Sequence, residues 1–219
     1  MDPLAFLKLR EQRLIAVIRA PSQEAALGAA EAVAKGRITM IEVTFTVPEA
    51  RRVIAALSER ADLTVGAGTV LTDEQARAAI AAGAKFIIAP NVSTDVARVA
   101  LDAGVLYCPG AYTTNEIIAA RAAGAHVVKV YPVGLVGGAR YIEIVHEPLP
   151  DVPMLAAGGI TLENFAAFLR AGAVGVGIGG ALADPKLAAA GQFAEITRRA
   201  REFLQRLVAA DAALAPKGA

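Results

Sequence analysis

The chain has 219 residues, 55% hydrophobic and 20% charged, and its 22 basic and 21 acidic side chains leave a net charge of +1. That much apolar material excludes a disordered chain, and the lack of a basic block or of interleaved aromatic and basic residues argues against nucleic acid as a partner. The longest uncharged runs, 103–115 and 171–183, carry Gly and fall short of the roughly 18–20 apolar residues a bilayer span requires, so no membrane role is expected.

The start places Asp2 where a signal peptide needs bases, and a cytoplasmic protein is expected. Residues 3–11 predict a short helix. From there two textures alternate. The runs 14–19, 39–46, 63–69, 86–90, 105–109, 126–132, 153–159 and 173–180 are apolar without strict alternation, which predicts parallel strands covered on both faces. Between them lie Ala-, Glu- and Arg-rich stretches of helical periodicity. Thr72-Asp73-Glu74-Gln75 offers a polar cap with acids in the first turn, and Ser93, Thr113 and Thr161 open similar segments. Gly36, Gly83, Gly104, Gly124 and Gly172 each stand just before a strand, where a helix exit often needs the left-handed conformation.

Gly83, Gly104 and Gly124 are spaced by 21 and 20 residues, the period of one strand–helix unit. Eight such strands fit an α/β fold of the (β/α)8 TIM-barrel type with an extra N-terminal helix. A doubly wound open sheet can be written from the same alternation. The regular short period favours closure, and no strand before the seventh is followed by a phosphate-type Gly fingerprint. With no linker or composition break, residues 1–219 read as a single domain: a helix over about 3–11, a barrel over about 14–207 and a frayed tail over about 212–219.

In such a barrel, chemistry collects at the C-terminal ends of the strands. Alternation places Glu42, Thr44 and Thr46 on one face of the second strand, and Val127, Lys129 and Tyr131 on one face of the sixth. Arg19, Thr69 and Pro90 close strands one, three and four. Glu42 and Lys129 have two readings. They are a structural ion pair filling the barrel, or a nucleophilic amine with a carboxylate that moves protons. Gly158-Gly159 and Gly179-Gly180 end strands seven and eight, where amides at loop-to-helix turns suit a phosphate dianion. Alternatively, these glycines only permit tight turns. His126 and His146 are far apart in sequence, and with one Cys, Cys108, no metal site or disulfide framework is expected. Cys108 reads as a core residue and His126 as structural or surface.

Taken in order, Ile15-Ala16-Val17-Ile18-Arg19, Ile41-Glu42-Val43-Thr44, Val65-Gly66-Ala67-Gly68-Thr69-Val70, Ala89-Pro90-Asn91, Cys108-Pro109-Gly110, Val128-Lys129-Val130-Tyr131-Pro132 and Ala157-Gly158-Gly159-Ile160 resemble the 2-keto-3-deoxy-6-phosphogluconate (KDPG) and 4-hydroxy-2-oxoglutarate (KHG) aldolases. The similarity runs from about Leu14 to Leu204. It implies a metal-independent, cofactor-free class I aldolase on a (β/α)8 barrel, a homotrimer acting on a small phosphorylated sugar acid in the Entner–Doudoroff route. Lys129 would be the Schiff-base lysine and Glu42 the proton-transfer group. Arg19, Thr46, Thr69, Pro90 and Tyr131 would contact substrate, and Gly158, Gly159, Gly179 and Gly180 would hold its phosphate. Members of the family carry Arg at the position of Thr46 and Ser at that of Ala181, so one cationic contact is missing and one phosphate contact is weakened. The galactonate-type substrate remains an alternative, as do a phosphosugar epimerase or isomerase on the same barrel and a non-catalytic phosphometabolite-binding protein.

Overall fold

The computed structural model describes the backbone of residues 3–214 and the side chains of residues 3–210. Helix α1 (Leu4–Gln12) precedes strand β1 (Leu14–Ile18), and α2 (Gln23–Lys35) leads to β2 (Met40–Thr44). Then come α3 (Ala50–Ser58), β3 (Thr64–Gly68), α4 (Asp73–Ala81), β4 (Phe86–Ile88) and α5 (Thr94–Asp102). Two short strands follow, β5 (Leu106–Cys108) and β6 (Gly110–Ala111), before α6 (Thr114–Ala122) and β7 (Val128–Val130). The last units are α7 (Ala139–His146), β8 (Met154–Ala157), α8 (Phe165–Arg170), β9 (Gly175–Ile178), α9 (Pro185–Ala189) and α10 (Phe193–Leu214).

The strand order is β5-β4-β3-β2-β1-β9-β8-β7-β6, with every pair parallel. The two ends of that order are one stretch of chain. The expected fifth strand ends at Pro109, which lacks an N–H for the ladder; β5, paired with β4, stops before it, and the chain resumes beyond it as β6, paired with β7. Nine segments therefore fill eight positions, and the sheet closes as an α/β barrel. Backbone bonds continue across the break: Ala89 N–H donates to the Cys108 carbonyl at 3.2 Å, and Lys129 N–H to the Pro109 carbonyl at 2.8 Å.

Local chemistry sets most helix boundaries as expected. Thr72, Ser93 and Thr113 accept from the N–H groups of Gln75, Val96 and Glu116, and Thr113 with Glu116 completes a capping box. Thr161 differs. It lies in a turn, and α8 begins only at Phe165. Gly83, Gly104, Gly124 and Gly172 take positive φ at the exits, but at the end of α2 the left-handed residue is Arg37 (φ 74°) and Gly36 has φ −81°. Gly36 answers instead to packing, since a Cβ there would lie 2.3 Å from Ala200 Cβ on α10. Helix α10 runs to Leu214, and residues 215–219 of the tail expected to fray lie outside the described residues. Among the described residues no helix is long and apolar enough to cross a membrane.

Two apolar layers follow from the alternation of each strand. Residues such as Ile41, Val43, Val128 and Val130 pack outward on the helices. The opposite faces fill the barrel's lower half, where Phe6 and Leu9 of α1 join Ile15, Met40, Phe86 and Cys108 in a second buried cluster. Helix α1 thus stops the barrel at the N-terminal ends of its strands. Polar side chains are left to the other end.

Candidate active site

Lys129 and Glu42 point into the barrel because their neighbours in β7 and β2 take the outward positions. Lys129 Nζ lies 3.9 Å from Glu42 Oε1, with only 8% and 1% of the two side chains exposed. That is an ion-pair distance, too long for a hydrogen bond. Among the described residues both carboxylate oxygens of Glu42 are buried without a hydrogen-bond partner. A carboxylate held this way is expensive in stability, which favours a chemical reason for its presence over a structural one. Room for it comes from β3: the Glu42 carboxyl lies where a Gly68 side chain would be. On the other side, Lys129 Nζ stands 5.2 Å from the centre of the Tyr131 ring, a cation–π contact. Cys108 is next to the pair but inert. Burial pushes its thiol up to about 12, the Lys129 charge pulling it down and the Glu42 charge raising it.

Above this pair opens a cavity of about 470 Å³, walled by Val17, Arg19, Lys129, Tyr131 and the two Gly-rich turns. Gly158 and Gly159 take consecutive left-handed φ values of 83° and 80°. A Cβ on Gly158 would also meet Pro132 Cα at 2.9 Å. The second turn runs from Gly179 to Ala183, with the N–H groups of Leu182 and Ala183 both donating to the Gly179 carbonyl at 2.9 Å. The amides of Gly180 and Ala181 stand at the open end of that turn, as at a helix N-terminus. Arg199 of α10 reaches the carbonyls of Gly180 and Ala181, both at 3.4 Å, and steadies the turn from behind.

Arg19, Lys129, Tyr131, Gly158, Gly159, Gly179 and Gly180 therefore share one cavity, with Glu42 set against Lys129 beneath it. Thr46, Thr69 and Pro90 do not line that cavity. Thr46 is exposed in the turn after β2, with its hydroxyl 2.7 Å from that of Thr44, whose own proton goes to the Ile18 carbonyl at 3.1 Å. Thr69 follows Gly68 with φ 55°, a strained value for a β-branched residue. Pro90 lines a neighbouring groove of about 330 Å³ that has Tyr131 as its shared wall. Two contributors escape the sequence reading. Gly68 belongs to a Gly-x-Gly run that enters the sequence reading only as one of the segments carrying the family resemblance, with no role assigned to it. Asn164 reads as part of a helix opening, yet it bonds back to the first turn, donating from Nδ2 to the Gly159 carbonyl and accepting the Thr161 N–H at Oδ1, both at 2.8 Å. No cluster of three or more His, Cys, Asp or Glu side chains that could hold a metal ion occurs among the described residues.

Residues 7–199 match the family model described as KDPG and KHG aldolase. A 2-dehydro-3-deoxy-phosphogluconate aldolase of Treponema pallidum is 36% identical over 201 residues, 91% of this chain and 96% of that protein. A 2-dehydro-3-deoxy-6-phosphogalactonate aldolase of Escherichia coli is 34% identical over 169 residues, 76% of this chain and 82% of its own. Among solved structures, a KDPG aldolase of Legionella pneumophila, with pyruvate captured as a covalent carbinolamine, superposes with a TM-score of 0.83 at 27% identity, covering 92% of this chain and 97% of that one.

Proposed function

The chain belongs to the KDPG and KHG aldolase family, and from that premise we propose that Lys129 and Glu42 cleave KDPG to pyruvate and glyceraldehyde 3-phosphate. The chain is an aldolase, a carbon–carbon lyase. The observation that carries the assignment is the pair itself: a buried amine lining the cavity, with an unbonded carboxylate 3.9 Å behind it.

Lys129 Nζ attacks the C2 ketone to give a carbinolamine, which loses water to an iminium. Glu42, directly or through water, takes the C4 hydroxyl proton. The C3–C4 electron pair flows into the iminium, releasing glyceraldehyde 3-phosphate and leaving an enamine. Glu42 returns a proton to C3, and water hydrolyses the iminium to pyruvate and free Lys129. General acid–base help of this kind contributes roughly 10²–10⁴-fold. Arg19 and Tyr131 flank the substrate, the Gly158-Gly159 and Gly179-Gly180 turns take its phosphate, and Thr46, Thr69 and Pro90 contact it from the rim. KHG, cleaved to pyruvate and glyoxylate, is a second substrate. The galactonate-type C4 epimer is the alternative, supported by the 34% identity to the phosphogalactonate relative. Retro-aldol rates on the two epimers decide between them. By family resemblance we also read the chain as one domain that works in the cytoplasm as a homotrimer, a state that light scattering would check.

Reduction with borohydride in the presence of pyruvate tests the core of the reading. The expected result is a single reduced pyruvyl adduct on the peptide carrying Lys129, absent from Lys129→Ala. An unmodified Lys129 peptide, under conditions that trap a control class I aldolase, overturns it.

A further inference from the structure

We infer that Asn164 is a positioning residue that aims two backbone amides at the substrate phosphate and so sets the preference for phosphorylated substrates. The inference rests on the phosphate reading of the Gly158-Gly159 turn. Asn164 stands immediately before α8, the position from which a side chain normally caps a helix, yet it makes no bond to the first turn of α8. Its amide is turned backward. Nδ2 donates to the Gly159 carbonyl and Oδ1 accepts the Thr161 N–H, both at 2.8 Å.

The consequence follows from peptide planarity, which sets the C=O and N–H of one peptide unit in opposite directions. Gly134 N–H holds the Gly158 carbonyl at 3.0 Å, so the Gly159 N–H points away from Gly134. Asn164 holds the Gly159 carbonyl, so the Ile160 N–H points away from Asn164. Gly134 and Asn164 line an adjoining cavity of about 530 Å³ and not the one above Lys129, whereas Ile160 lines only the Lys129 cavity and Gly159 stands between the two. Two successive amides are thus directed toward the Lys129 cavity, the arrangement of an anion-binding nest. The Thr161 N–H is withheld from it, being taken by Asn164. Both halves of the side-chain amide are needed. An Asp would keep the acceptor, lose the donor and set its charge against the Gly159 carbonyl.

The test compares wild type, Asn164→Ala, Asn164→Asp and Gly159→Val by kcat/KM on KDPG, by inhibition by inorganic phosphate, and by the rate of borohydride trapping of pyruvate, which carries no phosphate. Loss of aim for one charge-assisted bond predicts a roughly 10- to 100-fold fall in kcat/KM on KDPG for both Asn164 variants, most of it in KM. Phosphate inhibition should weaken in parallel while pyruvate trapping stays within about three-fold of wild type. A merely structural role would lower trapping and KDPG cleavage together, and that outcome overturns the inference. So does an Asn164→Asp protein that folds and matches wild type on KDPG. If Gly159→Val is selective for phosphate and the Asn164 variants are silent, the inference alone falls. If Gly159→Val costs KDPG cleavage and pyruvate trapping equally, the phosphate reading falls and takes the inference with it.

Discussion

The carboxylate of Glu42 occupies the space that a side chain on Gly68 would fill: a Cβ there would lie 1.9 Å from Oε1 and 2.6 Å from Cγ. The glycine on β3 is therefore part of how the carboxylate on β2 is held against Lys129. Gly68→Ala must move the carboxyl group or the strand. We expect kcat to fall on the order of 10- to 100-fold, a part of the full acid–base contribution, with pyruvate still trapped at Lys129. Overpacking of this kind costs about 1–3 kcal/mol of stability. Steady-state kinetics beside a denaturation curve would check both, and a variant with wild-type kcat would show that the carboxylate has room to spare.

Glu42→Gln keeps the size of the side chain and removes its ability to accept a proton. The expected fall in kcat is about 10²–10⁴-fold, while borohydride still traps pyruvate on Lys129. Lys129→Ala should abolish turnover, since the covalent electron sink is lost. A Glu42→Gln enzyme within a few-fold of wild type would assign the proton transfer to another group.

Cys108 offers a pH test. Its thiol is buried and pushed up to about 12 by that burial, so alkylation by iodoacetamide should be negligible in the native protein from pH 7 to pH 9 and rapid in guanidinium. The unfolded chain loses the thiol proton near its ordinary value of 9.0, and the native protein keeps it until about 12. The group's contribution to stability is thus fully present below pH 9 and is lost as pH rises toward 12. Cys108→Ala should accordingly lose less Tm than wild type between those limits. Native-state labelling at pH 8 would contradict the burial.

At the closed end of the barrel, Leu9 is 1% exposed and its Cδ1 lies 2.7 Å from the place of a Cβ on Gly175. Leu9→Ala should destabilise by about 2–5 kcal/mol through the void it leaves. Activity measured well below Tm should be unchanged, because the void is far from the polar end. Urea denaturation with parallel rate measurements would test this.

The barrel was legible in the sequence because its signals are local and repeated: apolar runs, capping residues and Gly exits on a near-constant period. What escaped detection depends on partners distant in the chain. Gly36 is small because Ala200 approaches it, and the turn conformation passes to Arg37. Asn164 looks like a helix opener, yet the geometry of Gly159 claims it first. The break at Pro109 is written in the residue itself, but only closure of the sheet decides that both halves share one strand position. Glu42 and Lys129 stood out as charges in apolar strands, whereas the space that Gly68 provides is invisible without the neighbouring strand. Thr46, Thr69 and Pro90, expected to contact substrate, all follow the C-terminal ends of their strands and do not line the cavity above Lys129.

The stopper formed by α1 closes the barrel at one end, so the cavity at Lys129 opens at the other, where Arg19 and the two Gly-rich turns stand at the door. On the proposed chemistry this imposes a queue. The phosphorylated aldehyde is formed nearer the door and leaves first, while the three-carbon fragment stays tethered at the bottom until water has followed the same path inward. Traffic through the enzyme is then ordered by architecture as well as by covalency, and pyruvate is the last to go.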